Sequence, residues 1–183
     1  MAQITTQRLL LRHWYEEDLA PFAALNGDPE VMRYFPATLT PAQSDEFARN
    51  IQGLIAVQGW GLWAVEVRDG APFIGFVGLN RPRFEAHFTP AIEVGWRLDR
   101  PYWGCGYATE AAAAALTFAF EELDCPEVVS FTSLINERSI QVMRRLGMGH
   151  DPADDFDHPA VPDGPLRRHV LYRMRRSRHL GRS

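Results

Sequence analysis

The stretch that decides the reading is Trp103-Gly104-Cys105-Gly106-Tyr107-Ala108-Thr109-Glu110, which runs directly into the alanine-rich segment 111–115. Two glycines one residue apart permit tight backbone curvature and put no side chain in a ligand's way. A helix that starts here presents unpaired N–H groups and the positive end of its dipole. That combination suits a pyrophosphate, and Thr109 adds a hydroxyl. Two familiar phosphate loops are excluded. A P-loop requires Gly-x-x-x-x-Gly-Lys-[Ser/Thr], but the chain contains no lysine, so all 19 basic residues are arginine. A Rossmann fingerprint requires a third glycine where Thr109 stands, at the first strand-to-helix turn rather than past mid-chain.

Outward from this loop, the N-terminal half reads as strand, helices and antiparallel strands. Residues 4–14 carry β-formers in alternation and predict a first strand. Residues 16–26 carry a helical stripe of Leu19, Phe22, Ala23 and Leu25. Asp28-Pro29 and Thr40-Pro41 each resemble an N-cap with proline at N1. They predict a short helix to about Tyr34 and a longer one to about Gln58. Residues 61–68 alternate well as a strand, Asp69-Gly70 marks a hairpin turn, and residues 73–80 return.

After a loop over 82–90, residues 91–98 form the strand that leads to the glycine turn. A helix over 104–123, a buried strand over 128–134 and a helix over 136–146 closed by Gly147 follow. Residues 148–150 begin a strand, 152–165 form a long loop, and 169–175 form the last strand. This order predicts a mixed α+β fold with helices on a sheet, not an alternating βα array.

A length of 183 residues without repeats or a linker predicts one domain, set at 1–175, with an Arg-rich tail at 176–183 that includes Arg182. The apolar run 111–120 is broken by Thr117 and is too short to span a bilayer. A net charge of −4 argues against nucleic acid as a partner. Cys105 and Cys125 make neither a disulfide framework nor a zinc spacing, so no metal is expected. With no signal-like N-terminus, the expected setting is cytoplasmic, with no membrane partner.

At these residues the chain resembles the GNAT superfamily of acetyl-CoA-dependent N-acetyltransferases. Their Arg/Gln-x-x-Gly-x-Gly/Ala signature is matched by Trp103-x-x-Gly106-x-Ala108 except at its first position. Trp103 to Ala111, Asn136-x-x-Ser139 with Val142 to Met148, and the opening Thr6 to Arg12 are similar to the branch that includes the ribosomal-protein N-terminal acetyltransferases. The resemblance implies a GNAT-like acyl-CoA N-acyltransferase fold. Its central sheet is twisted and mostly antiparallel, with a splay between the two middle strands and helices on both faces. Pantetheine would lie between the strands 91–98 and 128–134, with a strand-edge N–H on the thioester carbonyl.

The resemblance further implies acetyl-CoA as acyl donor, bound by Trp96, Leu98, Trp103, Gly104, Cys105, Gly106, Tyr107, Ala108, Thr109, Asn136 and Ser139. The partner is an amine acceptor, a protein or peptide N-terminus or a small molecule, and a homodimer stays open. The expected activity is direct attack of that amine in a ternary complex. The rival reading is a non-catalytic acyl-CoA sensor or scaffold on the same fold.

Glu93 and Ser139 are the catalytic candidates. An α-amino group titrates near pH 8 and a lysine near about 10.4, so the attacking lone pair must be generated. Glu93, on one strand face with Gly95 and Arg97, can take that proton. The competing reading is an ion pair with Arg97 or a neighbouring strand. Ser139, at N3 of its helix, can protonate the departing sulfur or simply satisfy its own helix. Asn136 is expected to cap that helix, with Ile135 and Ile140 as a hydrophobic staple. Residues 32–35, 83–88 and the neighbourhood of Phe156 and His158 are the expected walls of the acceptor side, and His158 and His169 are read as structural.

Overall fold

The computed structural model describes residues 2–180; the end of the Arg-rich tail, Arg182 included, lies outside the described residues. Nine strands form one sheet: β1 Ile4–Thr5, β2 Leu9–Arg12, β3 Leu62–Val67, β4 Gly75–Asn80, β5 Glu93–Leu98, β6 Glu127–Ser133, β7 Gly149–His150, β8 Phe156–Asp157 and β9 Arg168–Arg175. The helices are α1 Leu19–Gly27, α2 Pro41–Gln58, α3 Tyr107–Glu121, α4 Glu137–Leu146 and the short α5 Arg176–Leu180. The sheet order is β1-β2-β3-β4-β5-β6-β9-β7, with β8 also on β9. No helix of the described residues is long and apolar enough to cross a membrane.

Every strand pair is antiparallel except β5 with β6. That parallel pair decides the architecture. β4 and β5 stay in register from Gly75↔Leu98 to Asn80↔Glu93, and β6 and β9 from Glu127↔Arg175 to Ser133↔His169. β5 and β6 share only Glu93↔Val129, tied by the Val129 amide donating to the Ile92 carbonyl at 2.8 Å. Beyond it the two strands part, which is the splay expected between the middle strands.

Helices pack on both faces. On one, α3 presents Ala111, Ala112, Ala115 and Ala119 to Val65, Val77, Val94 and Leu98. Alanines let the helix axis come close to the sheet, and fully buried Trp63 and Phe120 fill the remaining volume. On the other, Phe22 and Leu25 of α1 and Ala48, Ile51 and Ile55 of α2 cover Trp14, Phe73 and Phe76. A third cluster of Phe88, Phe156, Val129 and Leu171, with Phe84 and Phe131 beside it, closes the far end.

Local chemistry sets most boundaries. Thr40 caps α2 by accepting from the Gln43 amide, Pro41 occupies N1, and Gly59 ends the helix at φ 82°. Asp69-Gly70 turns the chain between β3 and β4, with Asp69 at φ 58°.

Three expectations are corrected. The strand over 4–14 is two strands, because the Thr6 hydroxyl accepts from the Leu9 amide at 2.9 Å and folds a turn between them. The helix expected after Asp28 does not form. The Asp28 carboxylate accepts from the Glu30 amide at 2.8 Å, and the segment proceeds as separate turns, Met32 to Asp28 and Phe35 to Met32. The loop over 152–165 contains a 3-10 turn, Pro152–Asp154, and the strand β8.

Candidate active site

The glycine turn is built as its sequence demands. Gly104 and Gly106 lie in the left-handed region at φ 75° and 82°, and Gly106 is the N-cap of α3 with no side-chain cap. Among the described residues, the backbone amides of residues 104–109 find no protein acceptor; the first helical bond here is Glu110 N–H to the Gly106 carbonyl at 3.0 Å. Six consecutive N–H groups therefore face outward at the positive end of a helix.

Arg8 braces the turn from the N-terminal strands. Its Nη1 donates to the Cys105 carbonyl at 3.0 Å, its Nε to Glu110 Oε2 at 2.7 Å, and its guanidinium lies 4.7 Å from the Tyr107 ring centroid. Burial works to raise the Glu110 pKa, but the donors Thr6 and Arg8 outweigh it and hold the carboxyl below its ordinary range. Trp103, where the GNAT signature has Arg or Gln, donates its indole N–H to the Leu98 carbonyl at 2.7 Å. The Arg138 guanidinium lies 4.3 Å from its ring.

A cavity of about 690 Å³ opens from this turn into the splay. Glu93, Trp96 and Leu98 line it from β5, and Asn136 and Ser139 from α4. Trp103, Gly104, Gly106, Tyr107, Ala108 and Thr109 line it at the turn. The expected site residues thus converge on one space, except Cys105. Its exposed thiol points back to the Trp103 carbonyl at 3.6 Å and stays off the lining.

Glu93 sits where β5 and β6 are still joined. Burial pushes its pKa up to about 7, against the Asn80 side chain opposite it on β4, which works to lower it. The ion pair considered for it does not form: no bridge links Glu93 to Arg97 among the described residues. Asn80 was not foreseen. Its only sequence signal is the register that the Asp69-Gly70 hairpin leaves to be set by packing.

Asn136 is the N-cap of α4, accepting from the Ser139 amide at 3.3 Å. Its Nδ2 donates to Thr132 Oγ1 at 2.9 Å and to Ser139 Oγ at 3.1 Å. The Ser139 hydroxyl therefore accepts from the cap and keeps its own proton to donate. Ile135 is 48% exposed while Ile140 is buried, so the expected staple buries only one partner.

On the acceptor side, Tyr34 and Phe35 line the cavity, as do His158 and His169. The segment 83–88 does not; it backs the wall, with Phe84 4.5 Å from the His158 ring. The two imidazoles lie 4.9 Å apart. Burial, with the neighbouring His169, pushes His158 down to about 4, and burial also lowers His169 despite its bond to the Arg167 carbonyl. Burial thus favours the neutral form of both rings. Arg138 and Arg145, two turns apart on α4, also reach the cavity, a pairing whose sequence signal is their i, i+7 spacing.

Comparison with known proteins gives the family and the fold. Residues 8–149 match the family model described as acetyltransferase (GNAT) domain. The chain is 32% identical over 155 residues to the FsC-acetyl coenzyme A-N(2)-transacetylase of Aspergillus fumigatus, covering 78% of this chain and 65% of that one. The GNAT-family acetyltransferase of Bacillus anthracis superposes with a TM-score of 0.80 at 21% identity, over 96% of this chain and 99% of that one. The ribosomal-protein α-N-acetyltransferase RimL, solved in complex with coenzyme A, superposes with a TM-score of 0.74 at 15% identity, over 95% and 98% of the two chains.

Proposed function

This chain belongs to the GNAT acetyltransferase family, and from that premise we propose that it moves an acetyl group from acetyl-CoA to a primary amine by direct attack within a ternary complex. The observation that carries the reading is the continuity of one cavity. It runs from the outward-facing amides of residues 104–109, through the parted β5 and β6, to a carboxyl poised near neutrality.

The parts divide as follows. The amides at the turn and the dipole of α3 hold the pyrophosphate, with Arg138 and Arg145 adding positive charge. The unpaired edge of β5 beyond Glu93 supplies backbone donors to the pantetheine arm and to the thioester oxygen. Thioester chemistry supplies an activated carbonyl and a good leaving group. Glu93 takes a proton from the incoming ammonium, which frees the lone pair. The amine nitrogen bonds to the carbonyl carbon, the carbon–sulfur bond breaks, and the nitrogen gives up its second proton. That proton ends on the sulfur by way of Ser139, which donates its own proton and takes this one, or goes to solvent when the sulfur leaves as thiolate. A thiol of pKa about 8.5 departs readily either way, so Ser139 assists without being obligatory. No enzyme nucleophile is used, which is consistent with Cys105 lying off the lining.

The acceptor is an amine on a protein N-terminus or on a small molecule; among the structural neighbours, the ribosomal L7/L12 α-N-protein acetyltransferase is an example of the first kind. Residues 1–175 act as the single transferase domain. A thermal-shift series with acetyl-CoA, longer acyl-CoAs, ATP and NAD tests the donor, because a ligand that binds only the native state raises the melting temperature. Thiol release with peptides and small amines then tests transfer. Stabilisation by acetyl-CoA with amine-dependent thiol release is expected. Stabilisation without release for any amine would assign the fold to acyl-CoA binding alone.

A further inference from the structure

Arg97 places a positive charge in the cavity wall with no carboxylate to meet it. It follows Glu93 and Gly95 along the face of β5 that is turned to α1 and α2, and it lines the cavity. Its Nη1 donates to Asn26 Oδ1 at 2.6 Å, and Asn26 Nδ2 donates in turn to Ser44 Oγ at 2.8 Å. Asn26 and Ser44 are both fully buried. The guanidinium lies 4.2 Å from the Phe35 ring centroid and 5.4 Å from that of Phe76. Among the described residues it has no ion pair, and its Nε is buried without any partner.

The acids that line the cavity are accounted for elsewhere. Glu93 lies four residues back on the same strand, its Cα roughly 13 Å from that of Arg97 at about 3.3 Å per residue, while its Oε1 leans to within 3.6 Å of where a Cβ on Gly95 would lie, which shortens the gap between the two charged ends without pairing them. Glu30 sits on the rim, 3.8 Å from Arg33.

A guanidinium withdrawn from water is normally met by a carboxylate, because an unpaired buried charge is costly. Here the protein orients Arg97 without neutralising it. An amide oxygen and aromatic faces fix the plane of the fork, whereas an aspartate at position 26 would have cancelled its charge. Burial alone works to lower the Arg97 pKa, to about 10, which still leaves it charged at neutral pH. A fixed guanidinium with free donors matches the planar oxygens of a carboxylate.

Given the acetyl-transfer reading above, on which this rests, we infer that the acceptor carries a carboxylate as well as its amine, and that Arg97 holds the carboxylate while the amine meets Glu93. The carboxylate can belong to a free amino acid or short peptide C-terminus, or to an acidic residue at a peptide N-terminus.

Matched acceptors test this. One arm compares free amino acids and dipeptides with their C-terminal amides. The other compares peptides that begin with Asp or Glu against those that begin with Asn or Gln. The wild type is expected to favour the acidic member of the pairs in one arm by about tenfold or more in kcat/KM, the size of a lost charge-assisted hydrogen bond. Arg97→Met should raise KM for that member to the level of its neutral twin and leave the twin within about twofold. Arg97→Lys should keep part of the preference, because it keeps the charge without the fork.

The melting shift produced by acetyl-CoA should be the same in all three proteins. Equal kcat/KM within every pair for the wild type overturns the inference and leaves acetyl transfer standing. Equal losses on both members in Arg97→Met, with a lowered melting temperature, assign Arg97 to the core and overturn it as well. Acetyl-CoA binding with no amine turned over overturns both readings at the transfer step, and no melting shift overturns them at the donor step.

Discussion

Asn80 on β4 and Glu93 on β5 are cross-strand partners that both line the cavity, and the Asn80 side chain works to lower the Glu93 pKa. The Asn80 amide brings no counter-charge, so burial prevails and the pKa rises to about 7. A base that titrates near the working pH combines availability with proton affinity. The rate should rise with pH through about 7 and then level. Glu93→Gln should lower kcat by about 10²–10⁴-fold and flatten that acidic limb. A Glu93→Gln profile that superimposes on the wild type after scaling would remove Glu93 from proton transfer.

The same shift has a consequence for stability. With its folded pKa above its unfolded value, Glu93 binds more protons in the native state between about 4.5 and 7, so stability falls as pH rises through that window. Denaturant titrations should show Glu93→Gln more stable than wild type by up to about 3 kcal/mol at pH 8, with no such gain at pH 4.

Gly106→Ala should weaken the donor site more than the fold. Position 106 has φ 82°, which costs a side chain about 1–2 kcal/mol, and a Cβ there meets Arg8 Nη2 at 3.4 Å. The turn would relax and misalign the amides of residues 107–109. We expect KM for acetyl-CoA to rise with little change in acceptor KM, read from two-substrate kinetics, and a stability loss of about 1 kcal/mol.

Asn136 and Ser139 separate structure from chemistry. Asn136→Ala removes the cap of α4 and should cost about 1 kcal/mol in denaturant unfolding. Ser139→Ala leaves that cap's acceptor atom in place and should lower kcat by less than about tenfold, since thiolate is a competent leaving group. Unchanged kcat would confine Ser139 to its helix.

Far from the cavity, Arg12 and Asp18 are each 2% exposed and meet through paired bonds of 2.8 and 2.9 Å. Asp18→Asn strands much of a buried charge, although Glu66 still reaches Arg12 Nε at 2.8 Å. A loss of about 3–5 kcal/mol is expected in the urea midpoint with the slope unchanged, while kcat at low temperature stays at the wild-type value.

What the sequence determined by itself was local. The glycine pair, the caps at Thr40 and Asn136 and the alanine run of α3 act over a few residues, so their chemistry is visible in the chain. Local rules overreached after Asp28: its carboxylate accepts from the Glu30 amide as an N-cap would, yet the segment that follows runs as separate turns and no helix forms. Tertiary structure decided what depends on register and burial. It set Asn80 opposite Glu93, parted β5 from β6 after one pairing, and enclosed Arg97 with Asn26 and Phe35. Those neighbours lie far apart in the chain, and whether a carboxyl or guanidinium keeps its ordinary pKa is fixed by the packing that removes its water, which no run of adjacent residues encodes.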